Sequence, residues 1–367
     1  MKKIIFIFNH FQNEDGVCRA AIEIADGLAE YTEAEVTLCP LFKYDSSLKI
    51  KLDNRVIVRP IFKMYFRGFQ KIVGLIPKRI LYRFIVGGAY DCEIGFCSIL
   101  PVQIVAAFTD TNNKISRYAW MHGYDEGLPL RREYEKIGNL VCVSQYNRDR
   151  AQNELGNSVQ VNYAYNPLSE INLLRMSQEK TECVDENIIR FVSVGRISPE
   201  KGYDRLLHSA YRLVQEGYKF TLWIIGDGPD RIKLEKKRDE LNLMNVKLLG
   251  EQVNPHKYTV QADVFVCSSY SEGYSTACTE SVMLGVPVIS TDVSGATEII
   301  QAANAGCVVD NSEEGIYKGM KAILSDPELL NEWKTNIQLG RKNFSSNERI
   351  KHICNVLNIE LKTSDNQ

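Results

Sequence analysis

Two cations and two carboxylates in the second half of the chain have the types and spacing of a site for a phosphorylated ligand. Arg196 and Lys201 lie in VGRISPEKG, directly after an apolar run. Glu272 and Glu280 are separated by seven residues, the first in a loop and the second within the helix predicted to follow. Cations beside a helix N-terminus suit a diphosphate without a metal counter-ion, and a carboxylate can accept two hydrogen bonds from the vicinal hydroxyls of a ribose.

Each of these residues also has an ordinary structural explanation. A single Arg or Lys in a polar loop is usually solvated, and a helical Glu usually lies on an exposed face. The helix that carries Glu280 is mostly apolar, however, so an unpaired carboxylate would be costly there. Gly273 permits a close backbone approach to a ligand. Three amides that could meet phosphate or hydroxyl oxygens open the same helix, those of Tyr274, Ser275 and Thr276. The combination favours a ligand site.

His122 is a further candidate, because it follows a predicted strand in WMHGYDE and precedes two acidic residues at 125–126. A histidine after an apolar run is often a hydrogen-bonded structural residue, but a position at a strand end favours contact with a ligand. His10 ends the first predicted strand, where it could touch an acceptor or be structural. His256 and His352 have no such context.

Several common ligand motifs are missing from the sequence. A dinucleotide-binding GxGxxG is absent, since the GDGPD segment at Asp227 lacks the third glycine. There is also no P-loop, no GxSxG nucleophile elbow and no DxD triplet. The ten cysteines form no CxxC pair. Dehydrogenase, NTPase and hydrolase functions therefore lose support, and we expect no cofactor, no obligatory metal and no disulfide.

Apolar runs that alternate with helical patterns must position these residues. In the first half the predicted strands are 2–9, 35–39, 91–97, 115–121 and 140–144, and in the second half they are 189–194, 221–225, 246–249, 264–268 and 287–290. A polar, charge-rich stretch at 168–186 separates the two series. This alternation predicts the α/β class, with two Rossmann-like domains that face each other across a cleft.

The length of 367 residues also suggests two domains. We expect one Rossmann-like domain over 1–166 and a second over 167–345. Residues 346–367 are predicted to form a last helix, which packs back toward the first domain, and a polar tail.

These motifs together resemble the retaining glycosyltransferases of family 4, of the bacterial surface-polysaccharide type, which have the GT-B fold. The resemblance is dense over about 191–300, where the motifs are GRIS-PEKG, GDGP, SEGYS, the E-x7-E pair and GVPVIST-x-VSG. It is sparse in the first domain, where the matches are Asp15-Gly16, His122, Ser144, Asn166-Pro167 and AYDCEIGF at 89–96.

The resemblance implies that 1–166 is an acceptor domain and that 167–345 is a nucleotide-sugar-binding domain. It also implies a role for each matched residue. The donor diphosphate would be bound by Gly16, Arg196 and Lys201. The donor sugar would be bound by Glu272, Tyr274, Ser275 and Thr276. The ribose would be bound by Glu280. His122 and Glu272 would be the catalytic residues, with His122 reaching the sugar from the opposite domain. Asp15 stands where family members commonly have the first of two glycines.

The implied function is transfer of a hexosyl unit, with retention, from a nucleotide sugar to a lipid-linked or growing glycan acceptor in surface polysaccharide biosynthesis. UDP is the expected nucleotide. Two alternatives remain, a 2-epimerase-like enzyme and a non-catalytic protein that binds a nucleotide sugar or a partner transferase. Product formed without an acceptor would indicate the first, and UDP binding without turnover the second.

The segment 47–84 conceals a strong local charge within the near-neutral total of −2. It has ten cations and one acid, a net charge of +9, which leaves −11 for the rest of the chain. Apolar residues are interleaved, namely Ile61, Phe62, Met64, Tyr65, Phe66, Phe69, Val73, Leu75 and Ile76. A solvated basic face over ordinary core residues is one explanation, and an amphipathic surface on anionic lipid is the other. No nucleic-acid module accompanies the segment, so we expect no nucleic acid partner.

The chain has no apolar run of the length that a membrane span needs, and its first residues become polar too early for a signal peptide. We therefore expect a cytoplasmic protein that lies peripherally at the inner face of the cell membrane.

Overall fold

The computed structural model describes residues 1–12, 16–62, 66, 68–87, 90–108, 114–124, 127–179 and 188–362, without the side chains of 49–51. Contacts divide the chain into two units. Unit 1 comprises Met1–Leu168 together with Ser346–Gln367, and unit 2 comprises Ser169–Ser345. Each unit contains one parallel sheet with helices, which confirms the predicted α/β class.

Unit 1 is built on a seven-stranded parallel sheet of strand order β3-β2-β1-β4-β5-β6-β7. The strands are β1 Lys3–Phe8, β2 Glu35–Pro40, β3 Val56–Val58, β4 Cys92–Phe96, β5 Ser116–Met121, β6 Asn139–Cys142 and β7 Gln160–Tyr163. The helices are α1 Gly16–Tyr31, α2 Phe69–Leu75, α3 Lys78–Ile85, α4 Ile99–Val105, α5 Arg131–Ile137, α6 Gln145–Leu155 and, from the end of the chain, α15 Ser346–Val356.

The sequence of unit 1 explains this arrangement. In β1 every residue from Ile4 to Phe8 is buried, as expected for a central strand covered by helices on both faces. Helix α15 packs against α1. The contact is close, because a Cβ atom on Gly27 would lie 2.3 Å from the Cδ1 atom of Ile350. Arg349 of α15 also donates a hydrogen bond of 2.6 Å to the carbonyl oxygen of Asn166.

Unit 2 is built on a six-stranded parallel sheet of strand order β10-β9-β8-β11-β12-β13. The strands are β8 Arg190–Val194, β9 Thr221–Ile225, β10 Val246–Gly250, β11 Val264–Cys267, β12 Val288–Thr291 and β13 Gly306–Val309. The helices are α7 Glu170–Ser177, α8 Tyr203–Gln215, α9 Arg231–Glu240, α10 His256–Thr259, α11 Thr276–Met283, α12 Ala296–Ala303, α13 Glu313–Ser325 and α14 Glu328–Gly340.

Three strands were not predicted, and all three lie at sheet edges. They are β3, β7 and β13. An edge strand has a neighbour on one side only, so its residues need not form a continuous apolar run. Strand β3 shows this, since Ile57 is exposed between two buried valines. It is also short and lies within the basic segment, where charge obscures the pattern.

Candidate functional site

In unit 2 the predicted residues meet where the strand order reverses. From β8 the chain passes to β9 and β10 on one side of the sheet, whereas β11 pairs with β8 on the other side. Lys201 follows β8 and Glu272 follows β11. Loops that leave adjacent parallel strands in opposite directions form a crevice at the carboxyl edge, which is where open α/β sheets bind ligands.

Lys201 and Glu272 form an ion pair in this crevice. The Lys201 Nζ atom lies 2.7 Å from Oε1 of Glu272, and the hydroxyl of Ser269 donates a hydrogen bond of 2.6 Å to the same oxygen. Their side chains are only 26% and 11% exposed. Burial disfavours the charged form of Lys201, but the Glu272 carboxylate outweighs it, and the pKa of Lys201 is raised. The crevice therefore holds a permanent cation.

Arg205, in the first turns of α8, holds the loop that leads to Glu272. Its Nε and Nη2 atoms donate hydrogen bonds of 2.8 and 2.6 Å to the carbonyl oxygens of Ser268 and Ser269. Its guanidinium, which is almost fully buried, stacks on the ring of Tyr270 at 3.8 Å. The hydroxyl of Ser268 donates in return to the carbonyl oxygen of Lys201 at 2.9 Å. The two loops that carry the ion pair are thus tied together.

Glycine residues in the PEKG and GDGP motifs permit this close packing. Gly202 has a φ of +61°, and a Cβ atom there would lie 2.2 Å from the carbonyl oxygen of Ser268. Gly226 has a φ of +143°, and its Cβ would lie 2.0 Å from the carbonyl oxygen of Gly195. Both glycines therefore allow the backbones of the crevice loops to pack closely.

The structure leaves Arg196 apart from this ion pair. Its side chain is exposed and forms no ion pair with the part of the chain that the structure describes. Ser275 is the N-cap of α11, with its hydroxyl accepting a hydrogen bond of 3.3 Å from the amide of Cys278. Tyr274 precedes it and is buried, and Thr276 is the first residue of the helix.

Glu280 lies one helix turn further along α11 and is buried. Its Oε2 atom is 3.9 Å from Nδ1 of His256, the first residue of α10. His256 is buried as well, and its amide donates to Oδ1 of Asn254 at 3.1 Å. The apolar helix surface predicted around Glu280 therefore includes a polar neighbour.

In unit 1 the two predicted residues follow different strands. Gly16 is the first residue of α1, with open space around it, while Asp15 lies outside the described residues. His122 follows β5, and its ring packs edge-on against Phe96 with 4.6 Å between centroids. The Nε2 atom of His122 is buried without a hydrogen-bond partner among the described residues. Burial lowers the pKa of His122 to about 3, so the ring is neutral at physiological pH.

A cavity of about 640 Å³ lies beside His122, entirely within unit 1. It occupies the carboxyl edge at the place where this strand order reverses, between β1 and β4. Its wall includes Asn9 after β1 and Ser98 after β4. Helix α2 contributes Gln70 and Lys71.

The cations of the segment 47–84 differ in their contacts and in their exposure to solvent. Lys63 and Arg67 lie outside the described residues, as do the side chains of Lys49 and Lys51. Three others contact their own unit: Arg55 pairs with Asp53, Arg59 donates to the carbonyl of Ile85, and Lys78 donates to the carbonyl of Gly74. The remaining three are exposed, namely Lys71, Arg79 and Arg83.

The apolar residues of this segment divide in the same way. Val73 belongs to the unit 1 core, and Ile61, Phe62, Phe69 and Ile76 pack against it, so these are core residues. Met64 and Tyr65 lie outside the described residues. Five large apolar side chains are exposed, namely Phe66, Ile72, Leu75, Ile80 and Phe84. These five and the three exposed cations are called the α2–α3 surface below.

Two kinds of feature are absent from the described part of the chain. No helix in it combines the length and the apolar character of a membrane span. Within the same residues, no group of three or more His, Cys, Asp or Glu side chains has the arrangement of a metal site.

Comparison with known proteins identifies the group to which the chain is related. Residues 177–339 match the model of the family Glycosyl transferases group 1. An uncharacterized glycosyltransferase of Methanocaldococcus jannaschii is 29% identical over 63% of this chain and 61% of its own. The N-acetylgalactosamine-N,N'-diacetylbacillosaminyl-diphospho-undecaprenol 4-alpha-N-acetylgalactosaminyltransferase of Campylobacter jejuni is 30% identical over 58% of this chain and 57% of its own. The chain thus spans about six tenths of the length of these two relatives.

A solved structure extends the likeness of the fold to the whole chain. The Anabaena protein Alr3699/HepE, in complex with UDP and glucose, superimposes with a TM-score of 0.73 at 17% identity over 98% of this chain and all of its own. The chain thus resembles glycosyltransferases over 177–339 and has the GT-B fold. The family resemblance and the predicted GT-B fold are confirmed.

Sequence reasoning missed three further residues of this site. Arg205 is almost fully buried beneath Tyr270. Ser269 contacts Glu272, and His256, which had no functional context in the sequence, approaches Glu280. Their positions depend on loops that are far apart in the sequence. The one available signal was the position of Ser269 directly after the predicted strand 264–268.

Proposed function

We propose that this chain transfers a hexosyl unit from a nucleotide sugar, with UDP as the expected nucleotide, to a lipid-linked or growing glycan acceptor. The product would be a surface polysaccharide. The observation that carries the proposal is the partly buried Lys201–Glu272 pair at the carboxyl edge of the domain that matches the group 1 family. The names of the relatives agree, since that of the Campylobacter jejuni protein specifies a diphospho-undecaprenol acceptor.

The proposed chemistry uses the charges of the crevice. The bond between the sugar carbon and the phosphate oxygen breaks, and negative charge develops on the departing diphosphate. Lys201 and Arg196, with the N-terminus of α11, stabilise that charge more in the transition state than in the ground state. The acceptor oxygen bonds to the same carbon, and its proton passes to the departing phosphate oxygen. These groups give the reaction a source of positive charge without an obligatory metal.

The remaining predicted residues would orient the donor. Glu272 would accept hydrogen bonds from sugar hydroxyls. This requires Lys201 to interact less with Glu272 and to contact the phosphate as well. Glu280 would accept hydrogen bonds from the ribose. With a pKa of about 3, His122 is a poor base at pH 7, so we assign it hydrogen bonding to the sugar rather than proton transfer. Retention of configuration is proposed from the family 4 resemblance.

A donor screen with purified protein tests the proposal. UDP-sugars and other nucleotide sugars are supplied with and without EDTA, and both nucleotide release and binding are measured. Lys201→Ala and Glu280→Ala should each lose binding or turnover at least about tenfold. Lys236→Ala is the matched control, because this lysine is 78% exposed on α9. Wild-type behaviour of both site variants would refute the assignment. Product without an acceptor would indicate an epimerase, and UDP binding with no turnover on any acceptor would indicate a binding protein.

We further propose that the α2–α3 surface places the protein at an anionic membrane, on the inner face of the cell membrane. Leu75 and Phe84 are 84% and 68% exposed, which is unfavourable for large apolar side chains in water. Lys71, Arg79 and Arg83 are the exposed cations in the same segment. Exposed apolar and cationic side chains together suit the interface of an anionic bilayer.

Co-sedimentation with vesicles tests the membrane proposal. We expect binding to phosphatidylglycerol vesicles and much less to phosphatidylcholine vesicles. Leu75→Asp with Phe84→Asp should abolish binding, and Arg79→Gln with Arg83→Gln should weaken it several-fold. Ile232→Asp is the matched control, since this isoleucine of unit 2 is 81% exposed. Equal binding to both vesicle types, or an equal loss with the control, would remove the proposal.

A further inference from the structure

We propose that His256 is a positioning residue for Glu280, because it orients the Glu280 carboxylate toward the two vicinal hydroxyls of a ribose. His256 thereby gives the site a preference for ribonucleotides over 2′-deoxyribonucleotides. The inference rests on the proposed function, which assigns ribose binding to Glu280. It goes further by naming the residue that holds this carboxylate and the class of nucleotide that the site disfavours.

The orientation of the Glu280 carboxylate depends on its protein neighbours. Its side chain is only 10% exposed, so bulk water cannot surround the carboxylate. The terminal torsion of a glutamate is broad, and a carboxylate can rotate about it. A carboxylate that accepts hydrogen bonds from two adjacent hydroxyls must be held at one such rotation. A neighbour that contacts one carboxylate oxygen therefore prepares the other for the ligand.

His256 is such a neighbour. Its Nδ1 atom is 3.9 Å from Oε2 of Glu280, and its own side chain is 6% exposed. The neutral ring with its proton on Nδ1 and the protonated ring can both donate from this atom. A shift of about 1 Å brings the two atoms into hydrogen-bond range. Hydrogen bonds that are long in a ligand-free site commonly shorten when the ligand binds.

The backbone around His256 is held in place, so its ring is a stable reference for the carboxylate. His256 begins α10, and its amide donates a hydrogen bond of 3.1 Å to Oδ1 of Asn254. The side-chain amide of Asn254 donates in turn to the carbonyl oxygen of Met176 in α7, at 2.7 Å. Helix α10 packs against both α7 and α11. These contacts fix His256 beside the helix that carries Glu280.

The two carboxylates of the unit 2 site have partners of different strength. Glu272 pairs with Lys201, with 2.7 Å between Oε1 and Nζ. Glu280 has a histidine at 3.9 Å instead. A weaker partner restricts the rotation of a carboxylate and leaves it acceptor capacity for hydroxyl groups. Loss of His256 should therefore change how well Glu280 recognises a diol, rather than whether a nucleotide binds at all.

Calorimetry with matched nucleotide pairs tests the inference on the full chain. The probes are UDP with 2′-deoxy-UDP, and GDP with 2′-deoxy-GDP. For the base that binds, we expect the wild type to bind the ribonucleotide about 30-fold more tightly than its deoxy form. His256→Leu and His256→Phe lack the donor and should each reduce this ratio to about threefold, mainly by weakening the ribonucleotide. His256→Asn should keep most of the ratio, because its amide can donate from near the position of Nδ1.

His208→Leu is the matched control, because Nδ1 of His208 lies 3.5 Å from Oε2 of Glu313 at the surface. A merely structural role of His256 would weaken both nucleotides of a pair equally and leave the ratio unchanged. An unchanged ratio in His256→Leu and His256→Phe, or an equal fall in His208→Leu, would overturn the inference while the proposed function stands. Failure of the wild-type chain to bind either ribonucleotide would refute the proposed function, and the inference with it.

Discussion

The two sheets reverse their strand order in the same way, yet the crevices at these positions differ in volume and in the charge of the residues that line them. In unit 2 the void among Lys201, Ser269 and Glu272 has a volume of only about 10 Å³, and its opposite charges are paired. In unit 1 the corresponding position has a cavity of about 640 Å³ lined by carboxamides, with Lys71 beside it.

This difference shows what topology does and does not determine. Parallel strands that diverge at a reversal point bring their following loops together in both units. The residues on those loops then determine how a ligand can bind. In unit 2 the proposed binding of a phosphate requires Lys201 to leave its partner Glu272 in part. In unit 1 the cavity is already open, and its polar groups are largely neutral. We therefore expect substitutions in unit 2 to have the larger effects.

The largest effect is expected when the ion pair of unit 2 is removed. Lys201→Ala and Glu272→Ala should each lower kcat/KM about 100- to 1,000-fold, because each leaves one buried charge without its partner. The double variant should lose little more than the worse single variant, since the two residues act as a unit. Measuring kcat/KM for the donor in the wild type, both single variants and the double variant checks this. Losses that multiply in the double variant would contradict a shared role.

A smaller effect is expected from Arg205, which acts through the loop that carries Glu272. Arg205→Met removes two hydrogen bonds to the carbonyls of Ser268 and Ser269. We expect kcat to fall about tenfold with an unchanged acceptor KM, and partial recovery in Arg205→Lys. Arg212→Met is the control, because Arg212 lies on the same helix but pairs with Glu314 at the surface. An equal loss in both variants would mean that the effect is general destabilisation.

His122 gives unit 1 a stability that depends on pH, because burial lowers the pKa of its ring. Its pKa is about 3 in the folded chain and about 6.5 when unfolded, so the unfolded state binds the extra proton first. The contribution is complete above pH 6.5 and is lost on acidification toward pH 3, by at most about 1.4 kcal/mol per pH unit. Urea unfolding at pH 7.5 and 5.5 should show this loss, and His122→Gln should lack it. An equal loss of unfolding free energy between these two pH values in the wild type and in His122→Gln would contradict the assignment.

The smallest effect is expected from Arg196, the exposed cation of the unit 2 crevice. Arg196→Ala should raise the KM for the donor only a few-fold at low salt, and the difference should shrink at 0.5 M salt. Its contrast with Lys201 tests whether burial of the cation decides its contribution. A loss as large as that of Lys201→Ala would show that Arg196 moves into full contact with the donor.

The sequence predicted the central strands and the charged residues of the unit 2 crevice better than it predicted the cavity of unit 1. Lys201 and Glu272 stand in compact motifs next to buried strands, so their residue types and spacing were sufficient to place them. Their mutual ion pair was not predictable, because side-chain partners depend on loop geometry. The unit 1 cavity was missed for a related reason: Asn9, Gln70 and Gln103 come from three separate segments, and no one of them forms a motif.

The basic segment shows a second limit of sequence reasoning. Its composition indicated an amphipathic surface, but composition does not say which apolar residues face inward. Val73 belongs to the core and Phe69 packs against it, whereas Ile72 is exposed, because the packing of α2 on the sheet selects the face. The edge strand β3 within this segment was missed because its three residues are too few to show a period.

The place of α15 has a consequence for how the protein is made. Unit 2 is a continuous stretch, Ser169–Ser345, so a ribosome releases all of it before it releases the helix that completes unit 1. Until Ile350 has been synthesised, α15 cannot cover the surface of α1 around Gly27. Apolar side chains of nascent unit 1 are then exposed to water. Unit 1 can therefore be completed only after all of unit 2 has been synthesised, and unit 2 can fold before unit 1 is complete.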